Sequence, residues 1–149
     1  MRVLLTGNPN VGKSAIFSKL TGIDVTTSNY PGTTVEFFSG TMNWKGKTIE
    51  IVDVPGIYQL NPEAAAEKVA AQMIATGDVL LNVVDATNLE RNLNLTLQLM
   101  KIGKPIVMAL NMWDETKHKG IQIDVDKLSA ILGIKVIPTS GRSGEGISC

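Results

Sequence analysis

The segment Gly7-Asn8-Pro9-Asn10-Val11-Gly12-Lys13-Ser14 fits the pattern G-x-x-x-x-G-K-[ST]. Its glycines let the backbone curl until successive N–H groups face one phosphate, at the positive end of the following helix. Lys13 is a point charge suited to the β- and γ-phosphates, and Ser14 offers a hydroxyl to Mg²⁺. The run of phosphate-facing residues is expected to reach Ala15. A Gly-rich turn that binds nothing is the competing explanation. Four fixed positions between an apolar run and a helical pattern count against it.

Three further segments carry polar groups at places where strands should end. Asp53-Val54-Pro55-Gly56 offers a carboxylate for a Mg²⁺-bound water and a glycine N–H for a γ-phosphate. Asn111-Met112-Trp113-Asp114 offers a carboxylate able to accept the N1–H and the exocyclic amine of guanine, a donor pair adenine lacks. The Asn111 amide can bridge the base and the phosphate loop. A helix N-cap is the alternative role for Asp114, and its place in an ordered series favours base reading. Pro138-Thr139-Ser140-Gly141 can supply a loop amide behind the guanine carbonyl, with a plain Ser/Gly turn as serious competitor.

Tyr30-Pro31-Gly32-Thr33-Thr34-Val35-Glu36 has the Gly/Pro/Thr content of a loop ordered by a γ-phosphate and its metal. A threonine hydroxyl there would complete the Mg²⁺ shell. Thr33 and Thr34 are adjacent, and their chemistry alone does not separate them.

Elements that could position these groups follow from the hydrophobic pattern. Short β-rich apolar runs alternate with helical ones, the sign of an α/β protein with a mainly parallel sheet. Strands are expected at Arg2–Thr6, Val35–Trp44, Thr48–Asp53, Val79–Asp85, Ile106–Asn111 and Lys135–Pro138, making six. Lys45-Gly46-Lys47 joins the second and third as a hairpin. Helices are expected at Lys13–Thr21, at Pro62–Thr76 with Asn61 as N-cap, after an Asn88 cap, and near Val125–Leu132. In the third, Leu89, Leu93, Leu97, Leu99 and Met100 should form the apolar face. A final helix after Pro138 is expected and looks truncated, since parallel sheets need both faces covered.

The chain of 149 residues suits one domain, 1–149. With 44% hydrophobic and 19% charged residues, and 14 basic against 14 acidic side chains, it lacks the electrostatic footprint of a nucleic-acid or anionic-membrane binder. No apolar run approaches the about 20 residues needed to span a bilayer. The one cysteine, Cys149, excludes a disulfide framework within these residues. His118, the one histidine, sits in a polar, Lys-rich stretch and reads as a surface residue rather than a metal ligand. Of the methionines, Met73, Met100 and Met108 occupy core-like positions.

Together these segments resemble the five guanine-nucleotide motifs of translation-factor-related GTPases. In detail they are similar to the ferrous-iron transport protein B family. The residues responsible are Gly7–Ser14, Tyr30–Glu36, Asp53–Gly56, the run Asp85-Ala86-Thr87-Asn88-Leu89-Glu90-Arg91-Asn92-Leu93, and Asn111–Glu115 with Met112 in place of the usual Lys. The resemblance implies a Ras-like P-loop GTPase domain. It makes Thr34 the metal-binding threonine of switch I, starts switch II at Asp53 and Gly56, and assigns guanine reading to Asn111 and Asp114. It implies that Asn10 helps hold a potassium ion, supplying charge where other GTPases use an arginine. Lys13, Thr34, Gly56 and Asn10 are then the expected catalytic group. Ile57 stands where Ras-like GTPases carry a water-orienting Gln, so hydrolysis is expected to be slow. Gly141 replaces the usual Ala of the last motif, which should loosen nucleotide binding.

The family joins such a domain to a helical regulatory domain and an iron permease, on the cytoplasmic face of the inner membrane. The resemblance leaves homo-oligomerisation open. Three other classes stand beside it: a ribosome-assembly or tRNA-modification GTPase, a nucleotide switch with negligible turnover, and an ATP-dependent kinase. The first normally brings a basic RNA-binding surface, and Asn111 with Asp114 discourages the last.

Overall fold

A computed structural model of the chain describes residues 1–22, 25–60 and 64–140. The first apolar run is β1 (Arg2–Gly7), and the phosphate-loop pattern leads from it into α1 (Lys13–Leu20). There follow β2 (Thr26–Asn29), β3 (Glu36–Trp44), β4 (Lys47–Asp53), α2 (Ala65–Ala75) and β5 (Val79–Asp85). A 3-10 turn, Ala86–Asn88, runs into α3 (Leu89–Met100). The series closes with β6 (Ile106–Asn111), α4 (Trp113–His118), α5 (Val125–Leu132) and β7 (Lys135–Pro138).

The strands form one sheet in the order β2-β3-β4-β1-β5-β6-β7. β4, β1, β5, β6 and β7 are mutually parallel, whereas β2 and β3 run antiparallel to their neighbours. The sheet therefore has seven described strands, not six. The added strand, β2, is the polar edge segment Thr26-Thr27-Ser28-Asn29, mostly exposed. It has no apolar alternation to announce it and exists because β3 offers it a hydrogen-bonding edge. β3 and β4 are joined by Lys45 (φ 50) and Gly46 (φ 77), both left-handed, as a tight two-residue hairpin turn requires.

Successive residues of each buried strand face opposite layers. Leu4, Val52, Leu80 and Val54 pack with Val69, Ala70, Met73 and Ile74 of α2 and Leu95 and Leu99 of α3. Leu5, Ile51, Val83 and Ala109 face the other way, onto Ile16 and Phe17 of α1. A third cluster joins Met108, Leu110 and Val136 to Val125, Leu128 and Leu132 of α5.

The face of α3 differs from expectation. Its buried stripe is Asn92, Leu95, Thr96 and Leu99, while Leu97 is 51% exposed. Two polar residues belong to the stripe because Thr96 Oγ1 donates to Asn82 Oδ1 of β5 at 2.5 Å, satisfying both inside the core. Leu89 and Leu93 pack on its flank against the third cluster. Asn88 does stand at the N-cap of α3 but makes no side-chain cap bond; its carbonyl accepts from Asn92 Nδ2. α2 begins at Ala65 after an extended Ala64, later than expected. Asn61 and Pro62, the expected start, lie outside the described residues, as do Gly141, Cys149 and any final helix. Met73 and Met108 are buried and Met100 is half-buried, while His118 is exposed. Among the described residues, no helix is long and apolar enough to cross a membrane.

Candidate functional site

The polar segments gather because β1, β4, β5, β6 and β7 all end at one edge of the sheet. Between β1 and its neighbours the chain direction switches from one side to the other, the place where open α/β sheets bind ligands. Gly7 closes β1 so near β5 that an added Cβ would stand 2.5 Å from the Val83 carbonyl oxygen. Asn10 (φ 65) and Gly12 (φ 83) then adopt left-handed backbone, curling the loop. No side chain caps α1 and no acidic residue lies in its first turn, so its N-terminal amides remain available to an anion. The loop, with Lys13, Ser14 and Gly56, lines a cavity of about 410 Å³.

Lys13 does not stand alone in this cavity. Its ammonium is paired with the Asp53 carboxylate and donates to the Val54 carbonyl. Ser14 is exposed at the cavity mouth. Its hydroxyl and the Asp53 carboxylate are hard oxygen donors, the set Mg²⁺ prefers. Gly56 lies close against Pro9, and the next N–H, of Ile57, donates to the Gly7 carbonyl at 3.0 Å. Ile57 itself is 3% exposed and belongs to the hydrophobic core. That residue cannot meet a water at the phosphates in this conformation.

The other half of the site is built at the ends of β6 and β7. Asn111 Nδ2 donates to the Val11 carbonyl at 2.9 Å, and its Oδ1 accepts from Thr139 Oγ1 at 3.0 Å. A Cβ on Gly12 would run into that carboxamide nitrogen, so glycine is needed there for space as well as for φ. Met112 (φ 59) turns the chain into α4, bringing Asp114 round to Ser140. Ser140 Oγ donates to Asp114 Oδ1 at 3.1 Å and accepts from the Asp114 N–H at 3.3 Å. Asp114 lies in the first turn of α4, and Met112 holds the N-cap position.

Asn111, Met112 and Asp114 line a second cavity of about 370 Å³, together with Asn10, Gly12 and Ala15, while Ser140 stands behind Asp114 and is not among its lining residues. Asp85, Thr87, Glu115 and Lys119 also line it, and the sequence reading gave them no site role. The signal for Asp85 was its position at the end of a buried strand, shared with Asp53 and Asn111. Its carboxylate accepts from Thr87 N at 2.8 Å and Thr87 Oγ1 at 2.6 Å, which folds the 3-10 turn against the site. Asn10 lines both cavities and so stands where they meet.

Gly32, Thr33 and Thr34 are exposed and are not among the residues lining either cavity. The two threonines nonetheless differ. The Thr33 hydroxyl donates to the Tyr30 carbonyl at 2.9 Å and accepts from the Val35 N–H at 3.1 Å. Both its roles are used within the turn. Thr34 Oγ1 makes no hydrogen bond among the described residues.

A sequence profile of the family described as Ferrous iron transport protein B matches residues 1–149. The Fe(2+) transporter FeoB of Helicobacter pylori strain J99 is 46% identical over 145 residues, covering 96% of this chain and 23% of that protein. The chain spans roughly a fifth of the length of the curated relatives it matches. Among solved structures, a GDP-bound mutant of the S. thermophilus FeoB G-domain aligns with a TM-score of 0.94 and 46% identity. That alignment covers 99% of this chain and 57% of the other. The cytosolic domain of the T. maritima FeoB iron transporter in its GMPPNP form aligns with a TM-score of 0.95 and 38% identity, covering 99% and 60%.

Proposed function

The chain belongs to the ferrous iron transport protein B family and has its P-loop GTPase fold, and from that premise we propose that it binds GTP and hydrolyses it slowly. The observation that carries this reading is the Asn111 bridge. One carboxamide joins the phosphate loop, through Val11, to the Thr139 hydroxyl beside Ser140 and Asp114. Base and phosphates would thus be measured against each other by one rigid polar unit. Asp114 accepts two donors of guanine, and an adenine would leave that carboxylate unpaired, which is the physical basis for rejecting ATP.

In the working site the phosphates compete with Asp53 for the Lys13 ammonium, and Gly56 gives its N–H to the γ-phosphate. Ser14, Thr34 and, through water, Asp53 would hold Mg²⁺, and Asn10 would hold K⁺. Thr34 is favoured over Thr33 because its hydroxyl is uncommitted. When bound, the two cations would supply positive charge to offset the negative charge developing on the β–γ bridging oxygen. A water oxygen bonds to the γ-phosphorus while the bridging P–O bond breaks. Its electron pair leaves with GDP, and the water proton ends on phosphate. Buried Ile57 orients no water, which favours slow turnover. Loss of the γ-phosphate then releases Thr34 and Gly56, and both switches relax.

Residues 1–149 would act as the GTP-binding domain of a longer transporter, on the cytoplasmic face of the inner membrane. Its turnover would regulate ferrous-iron passage through a permease, by way of a helical regulatory domain. The test is GTP hydrolysis in KCl and NaCl at matched ionic strength, for the wild type and Asn10→Ala. Potassium stimulation that disappears in the variant is the expected result. Slow hydrolysis indifferent to the cation in both proteins removes Asn10 from the mechanism. Turnover slower than nucleotide dissociation favours a pure switch.

A further inference from the structure

The 14 basic and 14 acidic side chains balance in number but not in position. Acidic residues collect at the nucleotide edge of the sheet, where Glu67, Glu90, Asp114 and Asp126 stand in the first turns of α2, α3, α4 and α5. Exposed lysines collect at the opposite edge, where the parallel strands begin. Lys45 and Lys47 flank Gly46 in the β3–β4 hairpin, Lys135 begins β7, and Lys19 and Lys101 stand at the ends of α1 and α3. Helix dipoles favour the last two, but not lysines in a hairpin or at a strand start. None of these lysines pairs with a carboxylate among the described residues. The described carboxylates of this edge, Glu50 and Asp78, are both taken by Arg2, through Nε at 3.2 Å and the backbone N–H at 2.8 Å. Two apolar side chains stand out among the lysines. Trp44 is 53% exposed with the Lys45 ammonium 4.6 Å from its ring centroid, and Ile102 is 39% exposed.

We infer that this edge docks on an anionic lipid bilayer, hairpin first, with Lys45 and Lys47 on headgroup phosphates and Trp44 at headgroup level. Five strand spacings from β3 to β7 make the edge about 24 Å wide, so Lys135 meets the same surface as the hairpin. Lysines reach headgroups on flexible stems, and a tryptophan, apolar in body and polar at its N–H, suits the bilayer interface. A nucleic acid fits the edge less well. Its one described arginine, Arg2, is spent on Glu50 and Thr76, and aliphatic Ile102 has no base edge or phosphate to serve. The sequence-based expectation of no footprint for an anionic membrane therefore holds for the total charge and fails for this edge. Docking in this orientation leaves both nucleotide cavities, at the far end of the strands, open to solvent.

The experiment is sedimentation of the full chain with vesicles of phosphatidylcholine alone or of equimolar phosphatidylcholine and phosphatidylglycerol. Binding is expected to the mixed vesicles only. It should vanish between about 0.1 M and about 1 M KCl, as the Debye length shrinks from about 10 Å to about 3 Å. A lysine near an anionic surface is worth about fivefold in affinity, so Lys45→Gln with Lys47→Gln should weaken binding about 25-fold. Lys68→Gln with Lys127→Gln removes the same charge from the first turns of α2 and α5, at the nucleotide end, and should leave binding unchanged. Trp44 emission should move to shorter wavelength on the mixed vesicles, a change lost in Trp44→Ala. If Trp44→Ala does not fold, the two lysine pairs decide alone. No binding to mixed vesicles, or an equal loss in both lysine pairs, overturns the inference and leaves the GTP reading standing. Self-association through the hairpin, or tighter binding of a short RNA duplex by the same lysines, overturns it as well.

Discussion

At the scale of single residues, the site works by leaving few polar groups free to make substitute bonds. Asn111 is committed to Val11 and Thr139, and Asp114 keeps carboxylate capacity beyond its bond with Ser140. Asp114→Ala removes the acceptor for guanine and should weaken GDP binding by at least about 100-fold, while leaving any ADP binding unchanged. Calorimetry with both nucleotides checks this, and an equal loss for both would deny Asp114 a role in base reading. Gly12→Ala combines a strained φ of 83 with a clash against the Asn111 carboxamide. The backbone term alone costs about 1–2 kcal/mol, so its denaturant midpoint should fall even without nucleotide. These roles were legible because each residue type stands in a dense motif after an apolar run. Asp85, Thr87, Glu115 and Lys119 were not, since a carboxylate or lysine after a strand is common and only the fold shows which cavity it borders. The threonine pair shows the same limit. Local hydrogen bonds, absent from any sequence pattern, are what separate Thr33 from Thr34.

At the scale of elements, the sheet was legible wherever strands are buried on both faces. Their near-continuous apolar runs, such as Val79–Val84, need no partner to be recognised. β2 and α4 escaped for opposite physical reasons. β2 is a polar edge that borrows its structure from β3, and α4 is a six-residue helix whose first turn is spent on site chemistry. α3 misled because leucine content suggested its face, whereas pairing of Thr96 with Asn82 rotates the buried stripe. That pairing is testable. Thr96→Val keeps the shape and strands the Asn82 carbonyl, and should cost about 1–3 kcal/mol. The double change Thr96→Val with Asn82→Leu should recover part of the loss in urea unfolding. Helix ends give a second test. The Lys104 ammonium donates to the carbonyls of Ile74, Ala75 and Gly77 at 3.0, 2.8 and 2.5 Å, satisfying the C-terminus of α2. Lys104→Met keeps the stem but not the donors, and should destabilise by about 1–2 kcal/mol. A midpoint equal to wild type would show that water serves those carbonyls as well.

At the scale of the whole molecule, the site belongs to no single layer. Its groups come from the ends of β1, β4, β6 and β7, which span the central and far strands of the sheet. A nucleotide bound there bridges strands that otherwise meet through hydrophobic contacts and ladder bonds. Anything that binds the folded chain and not the unfolded one must stabilise it, and at a free concentration 100 times the Kd the gain is about 2.7 kcal/mol. For a domain of this size each kcal/mol raises the melting temperature by about 2–4 °C. Saturating GDP with Mg²⁺ should therefore raise the Tm by about 5–10 °C, and the same concentration of ADP should not. Asn111→Ala should lose most of that gain, because it uncouples the base-reading half from Val11 as well as removing a contact. If Asn111→Ala keeps the full GDP shift, the two halves bind their parts of the nucleotide independently. The bridge would then be a feature of packing, and guanine selectivity would rest on Asp114 alone.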